Sequence, residues 1–161
     1  MQTATELKPK YLTAGDGDTF PVLDSFVTFK VVGAETGNAF TMLEGLNPPG
    51  TGVPPHRERY EDETFFVLEG TYSFLIDQET VELGPGGFVF VNRGTAHSFT
   101  NVGTTPGRIL CLLTPGGIHE RFMADLSALG SAGMPEVSGI IAVASTYGIE
   151  FLPPPAAWEF S

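Results

Sequence analysis

The chain has 161 residues and a mass of 17.2 kDa, enough for one domain with a full core and too little for two. Its 42% hydrophobic and 17% charged residues describe a globular rather than a disordered protein. With 8 Lys and Arg against 19 Asp and Glu the net charge is −11, which repels phosphate backbones and anionic lipid and excludes nucleic acid as an expected partner.

Residues 1–17 read as an N-terminal arm, with no apolar segment behind its lysines to mark a secretory signal, so the expected location is cytoplasmic. No apolar run approaches the roughly 20 residues of a bilayer-spanning helix, and no membrane partner is expected. From residue 18 to 116 short runs of Phe, Val, Thr, Leu and Ile alternate with turn residues, the mark of an all-β domain. In chain order the expected strands are 26–32, 39–46, 63–69, 71–77, 80–84, 88–92, 97–102 and 108–114. Between them lie AETGN, NPPGTGVPP, Gly70, GPGG and GTTPG, and this spacing predicts a barrel or jelly-roll sandwich. Cys111, in the apolar run RILCLL, reads as a buried thiol without a disulfide partner. Beyond Gly117 the period changes, with Ile118, Phe122, Leu126 and Leu129 at helical spacing before Gly130 as the expected C′ residue. A second helix is expected from about Met134 and Pro135, with Val137, Ile140, Ile141 and Ala144 on one face, ending before Gly148. Residues 117–161 thus read as a short helical extension and a proline-rich tail, whose Phe151 and Trp158 offer an edge segment or a docking contact.

The chemistry-bearing stretch is GTGVPPHRERYEDETFFVLEG, residues 50–70. His56 and Glu58 fall on one side of an extended strand, Glu63 follows, and His97 sits on a separate strand. A closed barrel brings such strands together, and inward carboxylates and imidazoles among aromatic side chains need a partner there. A divalent cation supplies it, balancing the two carboxylates. Phe65 and Phe99 share the parity of Glu63 and His97, and with Val67 they are expected to line a pocket for a small hydrophobic organic ligand. Arg57, Arg59, Tyr60, Glu61 and Asp62 read as a solvated turn, and His119, beside Glu120 and Arg121, as a surface residue. The alternative for Glu58 is an ion pair with Arg57, Arg59 or Arg93 at the barrel mouth.

These two stretches resemble the paired motifs of the cupin superfamily. The first motif, G-x5-H-x-H-x(3,4)-E-x6-G, is filled in register by Gly50, His56, Glu63 and Gly70, with Glu58 where the second histidine is usual. The second, G-x5-P-x-G-x2-H-x3-N, is filled by Gly86, Gly94, His97 and Asn101, with Asn92 in the place of proline. The resemblance runs over about residues 39–114, and the helix that follows is similar to small quercetinase-like cupins. It implies a jelly-roll barrel of the double-stranded β-helix type, a homodimer, and a metal held by His56, Glu58, Glu63 and His97. A carboxylate in place of an imidazole moves the expected ion from Cu²⁺ and Zn²⁺ toward Mn²⁺, Fe²⁺ or Ni²⁺. The activity implied is that of a dioxygenase acting on a hydrophobic enol or aromatic substrate, with Glu63 as ligand and base. A second reading takes His56, Glu58 and His97 as a facial triad with Arg108, which follows His97 after ten intervening residues, a spacing that resembles the co-substrate arginine of 2-oxoglutarate oxygenases, lining the pocket. A metal-dependent isomerase or cyclase, and a non-catalytic binding module with a degenerate metal site, are the remaining readings.

Overall fold

Buried and exposed side chains alternate along most strands, because each sheet turns one face to a shared interior and the other outward. The computed structural model describes residues 7–153. It contains β1 (Asp18–Val22), β2 (Ser25–Val31), the short helix α1 (Gly33–Thr36), β3 (Thr41–Asn47), β4 (Gly52–Glu58), β5 (Asp62–Glu69) and β6 (Tyr72–Ile76). β7 (Glu79–Leu83), β8 (Phe88–Val91), β9 (His97–Asn101) and β10 (Gly107–Thr114) complete the barrel strands; then come α2 (His119–Leu129), a 3₁₀ turn (Gly130–Ala132), α3 (Val137–Thr146) and β11 (Ile149–Phe151).

All pairings are antiparallel and form two sheets, one ordered β1-β2-β3-β10-β5-β8 and the other β11-β4-β9-β6-β7. Consecutive strands repeatedly cross between the sheets, which is the jelly-roll all-β fold expected from the sequence. Between them lie Phe29, Leu43, Phe65, Val67, Tyr72, Phe74, Phe99, Ile109 and Leu113, all buried. Phe65, Phe74 and Phe99 stack as a triangle with ring centroids 5.5 to 6.0 Å apart, geometry that favours aromatic pairs.

Gly52, between the first motif's Gly50 and His56, and the motif residue Asn101 serve the backbone. A Cβ on Gly52 would lie 2.0 Å from the Phe99 carbonyl oxygen, so only glycine admits the close β4–β9 approach that carries His56 toward His97. Asn101 is fully buried; its amide donates to the carbonyls of Asn47 and Thr105 and accepts from the Gly103 N–H, tying three loop backbones together.

The eight expected strands are present, with ends moved by one or two residues, and three more join them: β1, β4 and β11. AETGN is a single helical turn as well as a reversal. Gly130 has φ −79, so the helix runs on into the 3₁₀ turn and the chain breaks instead at Gly133, φ 126. α2 packs against β1 and α3, and α3 against β11, so the helical pair bridges one edge of each sheet. Phe151 forms the expected edge segment, which returns the extension to the barrel beside β4; Trp158 lies outside the described residues. Among the described residues no helix is long and apolar enough to cross a membrane.

Candidate metal centre

Between Val53 and His56 the β4–β9 register slips by one residue. The bulge at Pro54 and Pro55 leaves Pro55 and His56 consecutively buried and sets the inward parity of His56 and Glu58. Proline, lacking an N–H, is at ease where the ladder is already interrupted. β9 places His97 directly opposite His56, their rings 4.2 Å apart, and β5 supplies Glu63 from the facing sheet. The ligating atoms of His56, Glu63 and His97 all lie within 4.8 Å of one another.

Both histidines are oriented the same way. His56 Nδ1 contacts the Pro54 carbonyl at 3.0 Å and His97 Nδ1 the Thr95 carbonyl at 3.0 Å. Carbonyls only accept, so each Nδ1 carries the hydrogen and each Nε2 is turned inward, the arrangement by which proteins present imidazole to a metal. His97 Nε2 lies 2.6 Å and His56 Nε2 4.0 Å from Glu63 Oε2. Burial would raise the Glu63 pKa, but the hydrogen bond and charge of His97, with His119 and His56 near, draw it down to about 2. Burial opposes the His97 imidazolium, and Glu63 outweighs it to raise that pKa. His56 is pushed down to about 4 by burial and by the charge of His97. One proton, shared by His97 and Glu63, therefore stands where a cation would sit. The donor set of two imidazoles and one carboxylate fits a divalent transition ion, and is the set typical of non-haem iron sites.

The other expected site residues divide. Phe65, Val67 and Phe99 are buried inside the barrel, and Phe65 lies 6.1 Å from the His97 ring. Cys111 is buried with its thiol 3.5 Å from Glu63 Oε1, and burial together with the Glu63 charge raises its pKa well above the ordinary value. Arg108 is a correction. Ile109, Cys111 and Leu113 take the inward parity of β10, so Arg108 faces out, where it pairs with Glu44 at 2.8 Å and Glu69 at 2.6 Å. It lines no interior pocket, and the co-substrate reading falls with it.

Glu58 is 3% exposed; its carboxylate groups with Glu61 and His119 at ligand distance and lies near enough to Glu63 for that charge to act on it. It does not meet an arginine: Arg57 pairs with Glu150 and Arg93 with Asp62. Glu61 and His119 were read as surface groups, yet they are 2% and 5% exposed. Both signals were present in the chain. Glu61 shares the two-residue parity of Glu63, Phe65 and Val67, and His119, Phe122 and Leu126 form the buried i, i+3, i+7 face of α2. Burial and the Glu63 charge raise Glu58 to about 7, while Glu58 and Glu61 hold the His119 pKa well above its ordinary value against the effect of burial.

Residues 44–113 match the cupin domain family. The chain is 28% identical over 118 residues to quercetin 2,3-dioxygenase of Bacillus subtilis (strain 168), an alignment covering 73% of this chain and 34% of that enzyme. It therefore spans about a third of that relative's length. It is also 28% identical over 110 residues to polyketide synthase CurC of Streptomyces cyaneus, covering 68% of this chain and 66% of that protein. KdgF from Halomonas sp. superposes with a TM-score of 0.63 at 14% identity, over 70% of this chain and 99% of that one. The polyketide cyclase RemF from Streptomyces resistomycificus gives 0.56 at 24% identity, over 66% and 79%; these two likenesses show the fold.

Proposed function

We propose that this chain, which is a small cupin, is a metal-dependent enzyme acting on a hydrophobic enol or aromatic substrate as a quercetinase-like dioxygenase. The observation that carries this reading is the pair of inward-turned Nε2 atoms of His56 and His97 converging on the Glu63 carboxylate. Those three side chains would hold the ion, with Fe²⁺, Mn²⁺ or Ni²⁺ suiting the donor set better than Cu²⁺ or Zn²⁺. A bound ion supplies Lewis-acid polarisation of a substrate oxygen. Glu63, ionised at neutral pH, accepts the hydrogen bond and then the proton of the enol hydroxyl. The Cys111 thiol, which faces Glu63 Oε1, steadies the carboxylate. Phe65, Val67 and Phe99 provide an apolar wall that excludes water and suits a flat, aromatic ligand.

A metal-dependent cyclase is the second reading; the alignment over 66% of the polyketide synthase protein CurC supports a polyketide as the substrate class to test for it. The two readings separate on dioxygen. The ion-loaded protein, given quercetin as the flavonol probe, is expected to consume flavonol and O₂ together, and Glu63→Gln is expected to abolish the reaction. Flavonol or polyketide conversion that proceeds equally under nitrogen, to a product isomeric with the substrate, contradicts the dioxygenase and supports the cyclase.

We also propose a homodimer, formed through the outer face of the six-stranded sheet. Phe66, Phe88 and Phe90 are 43%, 54% and 56% exposed, and two of them lie on the edge strand β8. An aromatic patch at a sheet edge is a pairing surface. Phe90→Glu is expected to shift the protein to monomer in sedimentation velocity, and an unchanged profile would place the interface elsewhere.

A further inference from the structure

We propose that Glu58, Glu61 and His119 form a second divalent-cation site, separate from the His56, Glu63 and His97 centre and not required for the reading above. Three parts of the fold build it. Glu58 ends β4, Glu61 precedes β5, and His119 opens α2. The ligating atoms of the three lie within 4.8 Å of one another.

Spacing distinguishes this cluster from a hydrogen-bonded one. His119 Nδ1 is 3.5 Å from Glu58 Oε1 and 3.6 Å from Glu61 Oε2, too far for a hydrogen bond. Two ligands each about 2.1 Å from one ion, at angles of roughly 90 to 109°, are about 3.0 to 3.4 Å apart. The observed separations are close to that range.

Satisfaction points the same way. Both Glu58 oxygens and His119 Nδ1 are buried without a hydrogen-bond partner, although folded proteins rarely leave buried polar atoms unpaired. Glu61 is held by the His119 backbone N–H, which donates to Oε1 at 3.2 Å and leaves Oε2 turned toward the imidazole. Among the described residues no Lys or Arg forms an ion pair with Glu58 or Glu61. Once the imidazole gives up its proton to ligate, the two buried carboxylates are balanced by a 2+ ion. The donor set, richer in oxygen than the first centre, suits a harder ion such as Mn²⁺.

The test uses Mn²⁺ as the probe on the full chain. Equilibrium dialysis is expected to give two Mn²⁺ per chain in the parent and one in Glu61→Gln, whose amide oxygen keeps the acceptor for the His119 N–H, with second-site affinity at least about tenfold weaker. His97→Ala is expected to keep the second ion while losing the first, which separates failure here from failure of the catalytic centre. An anomalous-scattering map of Mn²⁺-soaked parent crystals reads the site without a variant, with a peak expected between Glu58, Glu61 and His119. One Mn²⁺ per chain, an unchanged count in Glu61→Gln, or a single peak shared by His119 with His56, Glu63 and His97 overturns the proposal.

Discussion

Two clusters of glutamate and histidine lie inside one barrel, and they differ in how their polar atoms are satisfied. In the first, backbone carbonyls fix both imidazoles and a 2.6 Å contact joins His97 to Glu63, so the group is electrically complete with a single proton. In the second, two carboxylates face one imidazole at 3.5 and 3.6 Å, and neither Glu58 carboxylate oxygen accepts a hydrogen bond. Strand geometry accounts for the first, since β4, β5 and β9 are ladder-paired elements whose register dictates where their side chains meet. The second joins the end of β4 to a turn and a helix start. A rigid scaffold thus presents one complete constellation, and its neighbour draws on the segments that close the barrel's end.

The largest expected effect comes from breaking the complete cluster. His97→Ala in the metal-free protein leaves the buried Glu63 carboxylate without its partner, and loss of one member of a buried pair costs about 3 to 5 kcal/mol. Urea unfolding at neutral pH measures it, and a loss below about 1 kcal/mol would show that Glu63 is not held by His97. The same variant should lose metal at the first centre by more than the roughly 10 to 100-fold that removing an outer hydrogen-bond partner costs.

Glu58→Gln probes the unsatisfied cluster and has the opposite sign. Burial and the Glu63 charge push the Glu58 pKa up to about 7 from an ordinary 4.5. Between these pH values the folded state holds a proton that the unfolded state has released, so stability falls as pH rises through that window and then levels. The metal-free parent should lose on the order of 3 kcal/mol relative to Glu58→Gln from pH 4.5 to above 7. Parallel stability curves for the two proteins would show that Glu58 carries no such strain.

Much of this was legible in the chain, and what was hidden was hidden for local reasons. Turn residues and period-two runs mark the strands, and the spacing of His56, Glu63 and His97 marks the centre that the structure assembles. Arg108 was misplaced because RILCLL is apolar on both faces, so the run conceals which parity turns inward. His119 lies one residue out of phase with the apolar stripe that begins at Ile118, so that stripe conceals its burial. Glu61 was masked by its charged neighbours in RERYED, where composition speaks for solvent and parity speaks for the core. That His119 comes to lie beside Glu58 depends on α2 packing back on the barrel, which no window around residue 58 contains.

The smallest effect is expected on the outer face. Arg108→Ala removes pairs with Glu44 and Glu69 at a partly exposed site, where ion pairs contribute about 0 to 1 kcal/mol. Metal content and turnover should be unchanged; a loss of turnover would return Arg108 to the substrate pocket.

X-ray absorption of the protein loaded with one equivalent of Mn²⁺ tests the central claim most directly, because it counts the imidazoles around the first ion bound. Two imidazoles with the remaining positions filled by oxygen are predicted for His56, Glu63 and His97. A single imidazole would mean that the Glu58, Glu61 and His119 cluster fills first, and three would mean that His119 joins the same ion; either result contradicts the assignment.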